Sequence, residues 1–200
     1  MMKIYFHLCL EEFTNSYMVV NDDPGVMEAL IIDPGSISNN VISQIEDGGY
    51  KLTAVLITQN HESHVKGLNT LTRIYNPQVY AADYEIQGLR TNLIRGDGNL
   101  KLIGLNVDYF SLPGHSADSM IFKIGNVLFT GDTLTAGITG DTAGTYFQRI
   151  LCANIEKRIF TQNDELVVMP GFGPPTTVAA ERYYNLNISA NRKFLRSQEK

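Results

Sequence analysis

The chain reads as one α/β domain in which two sheets pack face to face with helices outside. Three observations predict this. Strand-like and helix-like segments alternate through both halves of the chain. The apolar run LTAVLIT (52–58) has the character of a strand buried on both faces. No linker, low-complexity stretch or tandem repeat divides the 200 residues, and that length suits one domain, residues 1–200.

The elements follow in order. KIYFHLCL, NSYMVVND and EALIIDPG predict three successive strands, with a turn at Asp22-Asp23-Pro24-Gly25 between the second and third. Ser36 or Ser38 can cap the helix in SNNVISQIEDGG, which Gly48-Gly49 stops. After LTAVLIT, HVKGLNTLTRIY carries apolar residues at helical spacing. QVYAADYE, NLKLIGL and VDYFSL read as strands, and SMIFKIGNVLFTGD as a hairpin turning at Gly125-Asn126. TYFQRILCANIEKRIF reads as an amphipathic helix, ELVVMPG as the last strand, and PTTVAAERYYNLN as a helix headed by Pro and Thr.

Bulk properties exclude several functions. The formal net charge is −5, and the one dense basic cluster, Arg192, Lys193, Arg196 and Lys200 beside Glu199, reads as a solvated tail, so no nucleic-acid partner is expected. No apolar run approaches the ~18 residues of a membrane span, and the N-terminus lacks the pattern of a signal peptide. The two cysteines, Cys9 and Cys152, lie in apolar runs and read as buried free thiols. A cytoplasmic protein acting on a small molecule, without membrane or nucleic-acid partner, is expected.

Four strand ends deliver unusual residues. LTAVLITQNHESHVKGL places Gln59, His61, Ser63 and His64 where a strand gives way to a helix. SLPGHSADS puts His115 just after a Pro-Gly turn, VLFTGDTLTAG puts Asp132 after a strand and a glycine, and VVMPGFGPPTT puts Phe172 between two glycines. Three of the four histidines therefore sit at strand-end loops, where sites are built on rigid scaffolds. Imidazoles with a carboxylate are ligands for zinc, iron or manganese. The alternative is a hydrogen-bonded polar cluster of these histidines, with Asp132 capping its loop and Ser63 capping the helix. A Ser63–histidine nucleophile has no nucleophile-elbow motif behind it.

At these residues the sequence resembles the metallo-β-lactamase superfamily, and within it small glyoxalase II (hydroxyacylglutathione hydrolase)-like proteins. LITQNHESHVKGL resembles the T-H-x-H-x-D-H-x-x-G-L motif, LPGHSADSM the P-G-H-T-x-G-S motif, and FTGDTLTAG the G-D-T-L-F-x-G motif. ALIIDPG and MPGFGPPTTVAAERYYNLNI match the family's early strand and its P-G-H-G-P segment. The resemblance implies an αββα sandwich with the site at the edge between the sheets, and water attack on a thioester or ester assisted by metal.

Three departures bear on that implication. Gln59 replaces the family's first His, Ser63 its Asp, and Phe172 its last His. Carried over residue by residue, one metal position keeps His61, His115 and the catalytic candidate Asp132, with Gln59 as a weak ligand. The other keeps only His64 and the shared Asp132, and is expected to be empty, with Phe172 filling part of it. The expectation is one divalent metal or none. A single-metal hydrolase and a non-catalytic binding or regulatory protein are the two function classes. Asp141, where the family often has a basic residue, disfavours a carboxylate-bearing substrate.

Overall fold

The computed structural model describes residues 1–198. Glu199 and Lys200 of the basic cluster lie outside the described residues. The first half of the chain lays down β1 (Met2–Cys9), β2 (Thr14–Asn21), β3 (Glu28–Ile32), α1 (Asn39–Asp47), β4 (Lys51–Leu56), α2 (Glu62–Val65), α3 (Leu68–Tyr75), β5 (Gln78–Ala81), the small hairpin β6 (Glu85–Ile86) and β7 (Leu89–Arg90), and β8 (Asn92–Leu93). The second half adds β9 (Asp97–Leu102), β10 (Leu105–Ser111), β11 (Met120–Ile124), β12 (Val127–Gly131), β13 (Leu134–Thr135), β14 (Ile138–Thr139), α4 (Thr145–Arg158), β15 (Val167–Pro170), β16 (Thr176–Thr177), α5 (Val178–Tyr184) and α6 (Leu186–Gln198).

Each half builds one six-stranded sheet. The orders are β1-β2-β3-β4-β5-β8 and β16-β15-β12-β11-β10-β9. In the first, β1 to β3 are antiparallel and β3, β4, β5 and β8 run parallel. In the second, β9 to β12 form a meander and β15 adds parallel to β12.

Strand alternation divides the core into layers. Along β2, Tyr17 and Val19 face the interior between the sheets, while Met18 and Val20 face the helices. Along β4, Ala54 and Leu56 point inward, and Val55, with Ile57 just beyond the strand, points outward. The outer face of the first sheet packs on Val41 and Ile45 of α1 and Leu68 and Leu71 of α3. The outer face of the second packs on Leu151 and Ile155 of α4 and Ile188 of α6. The result is the expected αββα sandwich. Burial on both sheet faces explains the near-continuous apolar runs, each such side chain contributing roughly 1.5–3 kcal/mol.

Several local expectations are met and others corrected. Gly125 at the β11–β12 turn has φ 59°, the left-handed backbone that glycine adopts without cost. Ser38 occupies the N-cap of α1 but makes no side-chain cap bond, whereas Thr177 caps α5 by accepting from the Ala180 amide at 3.1 Å. Cys9 and Cys152 are buried free thiols.

The basic C-terminal segment is not a solvated tail up to residue 198. It is helix α6, docked by Ile188 and by Arg192, which donates to Glu156 at 2.5 Å and to the Arg182 carbonyl at 2.8 Å. Lys193 and Arg196 remain exposed. Among the described residues no helix is long and apolar enough to cross a membrane.

Candidate metal centre

The C-terminal ends of β3, β4, β12 and β15 and the loop entering β11 meet at one edge of the sandwich. Each contributes a residue just past regular structure: Asp33 after β3, Gln59 and His61 after β4, Asp132 after β12, Gly171 after β15, and His115 in the loop before β11. The chain turns sharply to do this. Asp33 has φ 51°, unusual for a residue with a Cβ, and Gly131 has φ 51°. A Cβ at Gly131 would lie 2.4 Å from Thr58 Oγ1, so the two loops can approach only with glycine there.

Asp33 is the anchor. Its carboxylate is 1% exposed and accepts from the Thr58 amide at 2.8 Å and the Thr58 hydroxyl at 2.6 Å. Oδ2 also meets His64 Nδ1 at 3.0 Å, and His64 Nε2 meets Asp132 Oδ2 at 3.1 Å. Burial alone lowers the His64 pKa, but Asp33 and Asp132 outweigh it and raise it to about 10. His64 thus bridges two carboxylates, one at each ring nitrogen, and the two acids favour its protonated form. The resemblance carried it to a second metal position; here its nitrogens are taken up by acids. Burial pushes the Asp132 carboxyl up, but the His64 hydrogen bond and charge, with Gln59, hold it below its ordinary value.

His61, His115 and Asp132 converge, each offering a ligand atom within 4.8 Å of the others. His115 Nδ1 donates to the Asp141 carbonyl at 2.7 Å, which leaves Nε2 with its lone pair facing inward. His61 Nδ1 also faces the centre. His61 is exposed, but partial desolvation, then the neighbouring His115 and His64, lower its pKa and favour the neutral ring that a metal requires.

Gln59 is buried and turned inward. Its Nε2 lies 2.7 Å from Asp132 Oδ2, 2.9 Å from His61 Nδ1, 3.3 Å from His64 Nε2 and 3.4 Å from His115 Nε2. Its Oε1 accepts from the Asp132 amide at 3.3 Å.

The cluster opens into a cleft of about 260 Å³ whose lining includes Glu12, Ser63, His115, Asp132, Asp141 and Phe172. Phe172 forms part of the cleft wall and is 53% exposed, and its backbone bridges to Thr14 in the first sheet. Asn15 fixes that loop by donating to the Pro170 and Gly173 carbonyls at 2.9 and 2.7 Å. Ser63 is not a helix cap: α2 begins at Glu62 with His61 at its N-cap, and Ser63 lies inside the helix facing the cleft. Among the described residues no hydrogen bond joins Ser63 to an imidazole.

Two positions escaped sequence reading. Asp33 was visible only as an acid closing a buried apolar strand before Pro-Gly, and Thr58 only as a polar end to LTAVLIT. Gly171 is equally constrained. A Cβ there would lie 2.6 Å from His64 Cε1 and 2.8 Å from Asp132 Oδ1. Gly171→Ala is therefore expected to cost about 1–3 kcal/mol by overpacking. It should also displace Asp132 and weaken metal uptake, measurable by urea unfolding and by metal titration of the same sample.

No family model matches the chain. An uncharacterized protein of Treponema pallidum (strain Nichols) is 31% identical over 90% of this chain and 97% of its own length. A hydroxyacylglutathione hydrolase of Pseudomonas fluorescens (strain SBW25) is 25% identical over 95% of this chain and 69% of its own. A probable metallo-hydrolase of Bacillus subtilis (strain 168) is 28% identical over 86% and 90%. Among solved structures, the BLEG-1 B3 metallo-β-lactamase superposes with a TM-score of 0.80 at 24% identity, covering 94% of this chain and 100% of that one. ETHE1 from Myxococcus xanthus gives 0.84 at 22% identity, covering 100% and 91%. These structural likenesses establish the fold.

Proposed function

Since the chain belongs to the metallo-β-lactamase superfamily as a hydrolase-like member similar to hydroxyacylglutathione hydrolases, we propose that it hydrolyses an ester or thioester bond of a small molecule, using one divalent cation held by His61, His115 and Asp132. The observation that carries this is the convergence of those three ligand atoms at the mouth of a cleft. The residues fit such an ion. Two imidazole nitrogens and one carboxylate oxygen face a common point, and an atom already placed there, Gln59 Nε2, lies 2.7–3.4 Å from all three. Zinc bonds of about 2.0–2.2 Å would need the three groups to close in by less than about 1.5 Å. Zinc, iron and manganese all accept this donor set.

When bound, the cation would polarise the substrate carbonyl and lower the pKa of a water toward ~7. The remaining work falls to the chain. Asp132, kept ionised by His64, accepts a hydrogen bond from the attacking water and orients it. His64 fixes the angle of Asp132, and Asp33 holds His64. The Asp141 carbonyl keeps His115 in the tautomer that presents Nε2. Water adds to the acyl carbon, and the thiol or alcohol leaves with a proton.

The acids Glu12 and Asp141 and the apolar Phe172 and Ile138 line the cleft, favouring an uncharged acyl group over a carboxylate. The non-catalytic alternative is not favoured, because relatives spanning most of the chain carry hydrolase names. The buried free thiols Cys9 and Cys152 suit a reducing cytoplasm.

Metal analysis after dialysis against zinc, iron(II) and manganese, paired with hydrolysis assays on neutral acyl esters and thioesters, tests the proposal. One equivalent per chain with metal-dependent turnover is expected. Two equivalents, or none with no turnover, would overturn it.

A further inference from the structure

Gln59 stands where the resembling family has a histidine ligand, yet it meets its neighbours as a donor. We infer that the Gln59 amide is an internal competitor for the cation: its nitrogen occupies the point toward which His61, His115 and Asp132 converge, and it must leave that point before an ion can enter. The inference rests on the three-residue metal site proposed above and deepens it.

The amide's orientation is set by its partners. Oε1 accepts from the Asp132 backbone N–H, so Nε2 faces the Asp132 carboxylate, which can only accept. An amide nitrogen has two hydrogens, and the two shortest contacts, Asp132 Oδ2 at 2.7 Å and His61 Nδ1 at 2.9 Å, take both. With the amide reversed, its oxygen would meet the Asp132 oxygen at that separation, two acceptors in contact.

The two His64 nitrogens are taken up by Asp33 and Asp132, and the amide N–H groups meet the Asp132 oxygen and His61 Nδ1. Gln59 is 1% exposed, so water cannot readily take its place. The amide thus satisfies two of the ligand atoms, and metal binding must first break two part-buried hydrogen bonds.

This leads to an inverted expectation for a residue at a ligand position. Gln59→Ala should bind zinc at least about 10-fold more tightly than the parent, the scale on which partners of metal ligands act. In EDTA it should unfold at a lower temperature than the parent, having lost the amide's bonds, and zinc should raise its Tm by more than it raises the parent's.

Zinc titration against a competing chelator, thermal unfolding with EDTA or zinc, and the visible absorption of cobalt(II) added in place of zinc give three readouts independent of turnover. Gln59→Asn, with a shorter reach, serves if the alanine variant does not fold, and should shift affinity the same way. One equivalent bound with equal or weaker affinity in the variants would overturn the inference while leaving the metal site standing. No binding by parent or variants would overturn both.

Discussion

Asp33→Ala is expected to destabilise the domain by about 3–5 kcal/mol, the cost of removing one partner from a buried ion pair. The aspartate is 1% exposed, and His64 is fully buried. Without Asp33, His64 must either stay charged beside Asp132 alone or give up its proton, and the Thr58 amide and hydroxyl lose their acceptor. Guanidinium or urea unfolding of the two proteins measures the difference. A loss below about 1 kcal/mol would mean the pair is far less committed than its geometry indicates.

The same pair has a pH signature. His64 is raised from 6.5 to about 10 in the folded chain, so it binds its proton more tightly there than when unfolded. The stabilisation it brings is complete below about pH 6.5, declines as pH rises, and is gone above about 10. Stability measured at pH 6, 8 and 10 should fall in that order in the parent. His64→Gln should flatten the profile.

Asp132→Asn should have the largest effect on chemistry. Asparagine keeps the size of the side chain but loses its charge. It therefore weakens three functions at once: the carboxylate ligand, the acceptor for the attacking water, and the counter-charge to His64 Nε2 at 3.1 Å. Loss of a ligand exceeds the 10–100-fold cost of losing a ligand's partner, so kcat/KM for a neutral acyl ester should fall by at least about 100-fold, with one equivalent of zinc no longer retained. Circular dichroism should show the fold intact. Activity within about 3-fold of the parent would remove Asp132 from the reaction.

The layered architecture was legible in the sequence because burial on both sheet faces writes long apolar runs, as at LTAVLIT, and because Gly125-Asn126 marks a hairpin unambiguously. Helix α6 was not legible. It docks through few side chains, chiefly Ile188, and its charged residues resemble a tail until Glu156 and the Arg182 carbonyl are known to lie against Arg192. At the site, strand ends and tight turns singled out His61, His115 and Asp132, the family resemblance joined them as one ligand set, and the three side chains do converge. The sequence left open which way Gln59 turns, since that is a side-chain torsion settled by partners 2, 56 and 73 residues away. It also missed Asp33, whose importance comes from a histidine 31 residues distant. Phe172 lines the cleft with Asp132 and Ser63, its backbone bridged to Thr14, a pairing across 158 residues that local sequence does not announce.

The amide of Asn15 spans the two sheets and grips the chain on both sides of residue 172, with the Asn15 backbone N–H bonded to Gly171 as well. The wall's address is therefore written by an asparagine that takes no part in chemistry. The side chain at position 172, here a ring with no ligand atom, is therefore set on a main chain held independently of it.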